Sequence, residues 1–196
     1  MRKGCICLLF YMAIFGFSTQ SWGDGSCGLL GEYYQAASGS YPVFENFQFS
    51  RVDPVINFSY DDDFGLSSDD HFSIRWTGFI YAAMPGSYWF GTLSDDSSMV
   101  YINGNLVVNN GGSHAGRYAY GSIDLTKNWH PIEVTFHEWE GGACMILYWM
   151  PPTATYFSII ECVNLSPTST APLLQACWLL GSGLLGLMGL NRFRRG

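Results

Sequence analysis

Two adjacent carboxylates, Asp95 and Asp96, stand in the polar turn Ser94-Asp95-Asp96-Ser97-Ser98, just before the apolar run Met99-Val100-Tyr101-Ile102. That run ends in Asn103-Gly104, the dipeptide that most strongly marks a two-residue hairpin. One turn therefore presents two negative charges on a β edge. Paired carboxylates held by strands are hard oxygen ligands, suited to Ca²⁺ better than to a softer transition metal. A polar turn that binds no ion is the competing reading of the same residues.

Other stretches could assist. Asn109-Asn110-Gly111-Gly112-Ser113-His114-Ala115-Gly116 has loop composition, and its amide and hydroxyl groups could face a polar ligand, with Asn109, Asn110 and His114 as the candidate ligand-binding residues. Trp139, between two apolar runs, could stack on a sugar ring or pack on its own sheet. The five carboxylates of residues 61–70 lack the spaced ligands and closing Glu of an EF-hand, so that stretch reads as a solvated loop. His71, His114, His130 and His137 show no metal-ligand spacing and read as structural. No Gly-x-Ser-x-Gly elbow and no His-Glu-x-x-His helix is present, and two neighbouring carboxylates are poorly placed to flank a scissile glycosidic bond. A binding module is expected, not an enzyme.

The elements that must position these residues are strands. Residues 28–34 and 55–60 read as strands, and Phe72, Ile74 and Trp76 alternate with Ser73, Arg75 and Thr77 as in a half-buried strand. Pro85-Gly86 turns the chain into Ser87–Leu93, which delivers the acidic turn. Met99–Ile102 should pair with Leu106–Val108, and Ile132–Phe136 with Ala143–Trp149 in a second hairpin closed by residues 137–142. Residues 123–129 read as the approach to a turn. Short antiparallel strands with Gly-rich turns predict an all-β sandwich or barrel-like fold, with most aromatic residues in its core.

The chain has 196 residues, 48% hydrophobic and 17% aromatic, enough for one packed domain. A net charge of -7 leaves no basic stripe for nucleic acid. Residues 1–23, with Arg2 and Lys3 before an apolar run and small residues at the cleavage point, read as an export signal peptide. A linker spans 166–172, an uncharged stretch at 173–190 has the length of a membrane helix, and residues 191–196 form a basic tail. The positive-inside rule then places the domain at 27–165 outside the cytoplasm. Outside the cell disulfides are possible. A Cys27–Cys162 bridge would tie the ends of the domain together, worth about 4–5 kcal/mol by chain entropy; Cys144–Cys162 is the alternative pairing.

Two resemblances sharpen these expectations. Ala171-Pro172-Leu173-Leu174, the Gly/Leu-rich helix and the arginine cluster resemble the PEP-CTERM class of bacterial sorting tails. That resemblance implies an exosortase-type processing enzyme, and delivery to the bacterial surface or extracellular matrix. Gly31-Glu32-Tyr33-Tyr34, Phe72 to Phe79, Gly86-Ser87-Tyr88-Trp89-Phe90, Ser94-Asp95-Asp96, Tyr101-Ile102-Asn103-Gly104 and Gly141 to Trp149 resemble, in order and spacing, the domain first described in anthrax protective antigen. The resemblance implies an antiparallel β-sandwich of barrel-like, jelly-roll-like shape. It further implies that Asp95-Asp96 is a cis-linked pair binding Ca²⁺, that Glu138 stands where related adhesins place an Asn ligand, and that glycan or extracellular polysaccharide is the partner.

Overall fold

The structure, a computed structural model, describes residues 27–35, 44–60 and 62–168. The expected signal peptide, the membrane helix and most of the linker lie outside these residues. Among the described residues no helix is long and apolar enough to cross a membrane. Twelve strands form there: β1 (Leu29–Gln35), β2 (Phe47–Asp53), β3 (Asn57–Phe58), β4 (Phe72–Ala82), β5 (Gly86–Asp95), β6 (Ser97–Ile102), β7 (Asn105–Asn110), β8 (Arg117–Leu125), β9 (Asn128–Glu138), β10 (Cys144–Met150), β11 (Ser158–Ile159) and β12 (Leu165–Ser166). A single 3₁₀ turn, Cys162–Asn164, precedes the last of them.

The pairings are antiparallel and sort into two sheets. One runs β2-β1-β4-β9-β6-β7 with β12 on β4; the other runs β11-β10-β5-β8 with β3 on β10. Alternation decides which face is buried. In β4, Phe72, Ile74 and Trp76 are fully buried, and in β5 Tyr88 and Phe90 face them from the opposite sheet within one core cluster. Each such side chain contributes about 1.5–3 kcal/mol by leaving water. The core also encloses Asp53, whose Oδ2 accepts from Trp76 Nε1 at 2.6 Å and whose Oδ1 accepts from Arg51 Nε at 2.7 Å. Where β7 passes β8, a Cβ on Gly121 would collide with the Val107 carbonyl oxygen, so only glycine permits that approach.

Asn103-Gly104 closes the expected β6–β7 hairpin with both residues at positive φ. The second expected hairpin is not formed. β9 pairs with β4 and β6, whereas β10 pairs with β5, β3 and β11, so residues 139–143 cross from one sheet to the other. A Gly-rich connection suits both roles, and alternation alone cannot separate a hairpin from a crossing between facing sheets. The aromatic residues also divide: Tyr33, Phe72, Trp76 and Phe136 are interior, while Trp89, Tyr118 and Tyr120 stand exposed.

Cys27 and Cys162 form a disulfide with Cα atoms 5.1 Å apart, and Cys144 is a free, buried thiol. The bridge sits beside β12, which pairs with Phe79 and Ile80 near the end of β4. The start of β4, at Phe72, lies against Glu138. The disulfide and the acidic turn are thus near opposite ends of the sandwich.

Candidate metal centre

Four connections cross between the sheets at the Phe72 end: 59–71 from β3 to β4, Asp96 from β5 to β6, 111–116 from β7 to β8, and 139–143 from β9 to β10. The acidic turn is therefore a crossing, with Asp95 the last residue of β5 in one sheet and Ser97 the first of β6 in the other. The Asp95-Asp96 peptide bond is cis.

A buried hydroxyl and amide network fixes the strands beneath it. Ser94 Oγ lies 2.8 Å from Ser98 Oγ, and Ser98 Oγ donates to Thr92 Oγ1 at 2.9 Å. Asn110 Nδ2 donates to Ser94 Oγ at 3.0 Å and to the Arg117 carbonyl at 2.9 Å, while Arg117 Nε donates back to Asn110 Oδ1 at 2.8 Å. Asn110 is fully buried and its amide is consumed there, so it is a strut of the site and does not face a ligand. Asn109 is exposed and its Oδ1 accepts from Gly111 N at 3.0 Å, shaping the loop.

Asp96, Asp95 and Glu138 come together: one carboxylate oxygen from each lies within 4.8 Å of the others. Asp96 is almost fully buried. Its Oδ1 accepts from Ser113 Oγ at 2.8 Å and His114 N at 2.7 Å, and its Oδ2 from Trp139 N at 2.8 Å. Asp95 Oδ2 accepts from Tyr60 OH at 3.0 Å and Gly116 N at 3.1 Å. These donors leave lone pairs on both aspartates. Glu138 is 0% exposed; its Oε2 accepts from Asp96 N at 3.1 Å, and its Oε1 is buried without a hydrogen-bond partner. Burial, then the nearby Asp96 and Asp95 carboxylates, push the Glu138 pKa up to about 8, against the Asp96 N–H, which lowers it.

Among the described residues no Arg or Lys forms an ion pair with any of the three. Carboxylates gathered at a buried position without a counter-charge repel one another, and a buried carboxylate oxygen without a hydrogen-bond partner is rare in a folded protein. An all-oxygen set of this kind fits a hard divalent cation.

The surroundings are concave. A cavity of about 330 Å³ is lined by Asp95, Asp96, Ser113, His114, Glu140 and Gly142, and a second, of about 230 Å³, by Asp96, Gly112, Ser113, His137 and Trp139. His114 serves through its backbone N–H, its ring nitrogens engaging the carbonyls of Ala115 and Asn110. Trp139 is half-buried, its ring set edge-on to His71 with centroids 4.8 Å apart. Asp70 and Tyr60, which the sequence does not single out, and the Ser113 hydroxyl also build the site. Asp70 Oδ1 accepts from Gly141 N at 2.9 Å, tying the acidic loop to the 139–143 crossing, while Tyr60 and Ser113 orient the aspartates. Positions so far apart in the chain carry no local signal of joining.

Fold and site together define a two-sheet antiparallel sandwich that gathers an acidic oxygen cluster at its inter-sheet crossings. Residues 25–162 match the PA14 domain, and the chain belongs to that family. It is 35% identical over 127 residues to the anti-sigma-I factor RsgI3 of Acetivibrio thermocellus, covering 62% of this chain but only 19% of that protein. Among solved structures it resembles an anti-sigma factor domain-containing protein (27% identity, TM-score 0.65, covering 75% of this chain and 50% of that one). It also resembles the PA14 sugar-binding domain from an RTX adhesin (20% identity, TM-score 0.59, covering 72% and 98%).

Proposed function

We propose that the domain is a non-catalytic, calcium-dependent carbohydrate-binding module of an exported protein, with Asp95, Asp96 and Glu138 holding the ion. The observation that carries this reading is Glu138, fully buried, with one oxygen lacking a partner beside two further carboxylates. When bound, Ca²⁺ would offset two of the three charges and offer its remaining coordination positions to sugar hydroxyls. The chain's own groups then shape the receptor: Ser113 and the 111–116 backbone on one side of Asp96, and Trp139 on the other. The sugar-binding adhesin domain of the same fold is in keeping with a glycan partner.

Placement of the Cys27–Cys162 disulfide near the opposite end of the sandwich suits display of the site. An export signal at 1–23, and a membrane helix at 173–190 open to exosortase-type cleavage, would deliver it to the bacterial surface or matrix. The test is retention of the full chain on a glycan array with Ca²⁺ and with chelator. Retention that requires Ca²⁺ is expected, and retention indifferent to chelator contradicts the reading.

A second reading, a structural or protein-binding module of the matrix without a small ligand, draws on one observation. Both aspartates already accept N–H and O–H donors, as a scaffold turn would. It requires that the fold and any protein partner be unaffected by removal of Ca²⁺.

A further inference from the structure

We propose that the outer face of the five-stranded sheet is a track for an extended, uncharged polysaccharide, continuous with the acidic cluster, so that the domain grips a run of sugar units along a polymer. The nature of the ligand rests on the carbohydrate-binding reading above; the surface itself does not.

Along β5 the residues Tyr88, Phe90, Thr92 and Ser94 point into the core and are buried. Trp89, Gly91, Leu93 and Asp95 therefore share the outer face, and one row of positions leads from Trp89 to the candidate metal centre. On neighbouring strands Tyr118 lies opposite Leu93, and Tyr120 and Tyr148 flank Gly91 on either side. Tyr118, Tyr120 and Trp89 are 55%, 49% and 42% exposed.

Gly91 explains why a platform forms. A Cβ there would lie 2.5 Å from Tyr120 Cδ1, so the absence of a side chain lets the Tyr120 ring lie across the backbone of β5. The Tyr118 and Tyr120 rings are parallel to within 8°, with centroids 6.0 Å apart, and Tyr148 and Phe157 extend the cluster at 6.3 and 4.8 Å. At the site end, Leu93, opposite Tyr118, leads along β5 to Asp95, which accepts from the hydroxyl of the 53% exposed Tyr60.

On this face of β5 and β8 the charged side chains are the carboxylates of Asp95 and Asp124, one at either end of the row with the rings between them, so the face disfavours an anionic polymer and suits an uncharged one. Contiguous exposed aromatics mark an interaction surface. Rings fringed by hydroxyls suit the C–H faces and hydroxyls of a neutral pyranose, and continuity with the candidate metal centre gives that polymer its direction.

The test uses the full-length, Ca²⁺-saturated chain. Its probes are disaccharides and hexasaccharides of β-1,4-glucan, β-1,4-galactan and β-1,4-mannan, read by calorimetry. In at least one series the hexasaccharide should bind about tenfold or more tightly than the disaccharide. Tyr118→Ala and Tyr120→Ala should each reduce that gain with Ca²⁺ binding unchanged. Tyr118, as the more exposed, keeps the test valid if the Tyr120 variant melts early. Equal affinity for both lengths, no binding in any series, or a gain untouched by Tyr118→Ala overturns the track. So does a chain that self-associates in sedimentation and becomes monomeric in Tyr118→Ala without a glycan effect, which would give the face to a second copy. Loss of the calcium reading would show separately, as absence of Ca²⁺ heat in the native chain.

Discussion

The backbone N–H of Asp96 donates to Glu138 Oε2 at 3.1 Å, joining the β5–β6 crossing to the end of β9 across 42 residues of sequence. The bond holds a fully buried glutamate against a nearly buried aspartate. Without an ion, that arrangement works against the fold. Glu138→Gln replaces, at nearly constant shape, a carboxyl that the calcium-free fold must protonate with an amide that is neutral at every pH, so near pH 7–8 the calcium-free chain should melt several degrees higher while its calcium affinity falls at least about tenfold. Melting curves with chelator and with Ca²⁺ would show the two effects in opposite directions.

The raised pKa of Glu138, about 8 against an ordinary 4.5, makes the balance pH-dependent. Between those values the folded calcium-free chain holds a proton that the unfolded chain has released. Its stability is therefore greatest at the acidic end of the window and declines as pH rises toward 8. Calcium requires the carboxylate, so ion binding below pH 8 must expel the proton. Apparent affinity should rise with pH, by up to about tenfold per unit, and level off above 8. Titrations in buffers of different ionisation enthalpy would count the released proton.

Asp96, a ligand in the proposed function, is also a clasp, since Ser113 Oγ, His114 N and Trp139 N all donate to it. Hydrogen bonds to a charged acceptor are worth about 1.5–3 kcal/mol each. Asp96→Ala should destabilise the chain by several kcal/mol even in chelator. Asp95→Ala leaves those three bonds in place and should cost clearly less. Denaturant unfolding of the two variants would measure the difference.

The Cys27–Cys162 bridge closes a loop with a sequence separation of 135. Its reduction should lower stability by about 4–5 kcal/mol in the chain-entropy model. Unfolding with and without reductant would give the difference, and Cys144 should stay unlabelled by a thiol reagent until the domain unfolds, because it is buried.

Legibility in the sequence followed locality. The Asp95-Asp96 turn, the Asn103-Gly104 hairpin and the alternating strand β4 each carry their signal in a few consecutive residues. β8 carries no such signal, because its inward positions Ala119 and Gly121 are small while its exposed positions Tyr118 and Tyr120 are aromatic, which masks in the sequence the alternation of exposure that the strand has. The β9–β10 connection is a crossing where the sequence predicts a hairpin, because one run of glycines can serve either. Asn110 has the composition of a loop ligand, yet it is buried by strands that only the fold brings beside it. Glu138 follows from the family resemblance, not from its own neighbourhood, and Tyr60 and Asp70 give no sign in the sequence of converging on the aspartates.

The central claim is met most directly by calorimetric titration of Ca²⁺ into the full-length chain, native and Asp96→Asn. One ion per native chain, with the heat lost in the variant while both remain folded, is the predicted result. A folded native chain that takes up no Ca²⁺ would contradict the account and leave the acidic crossing as scaffold.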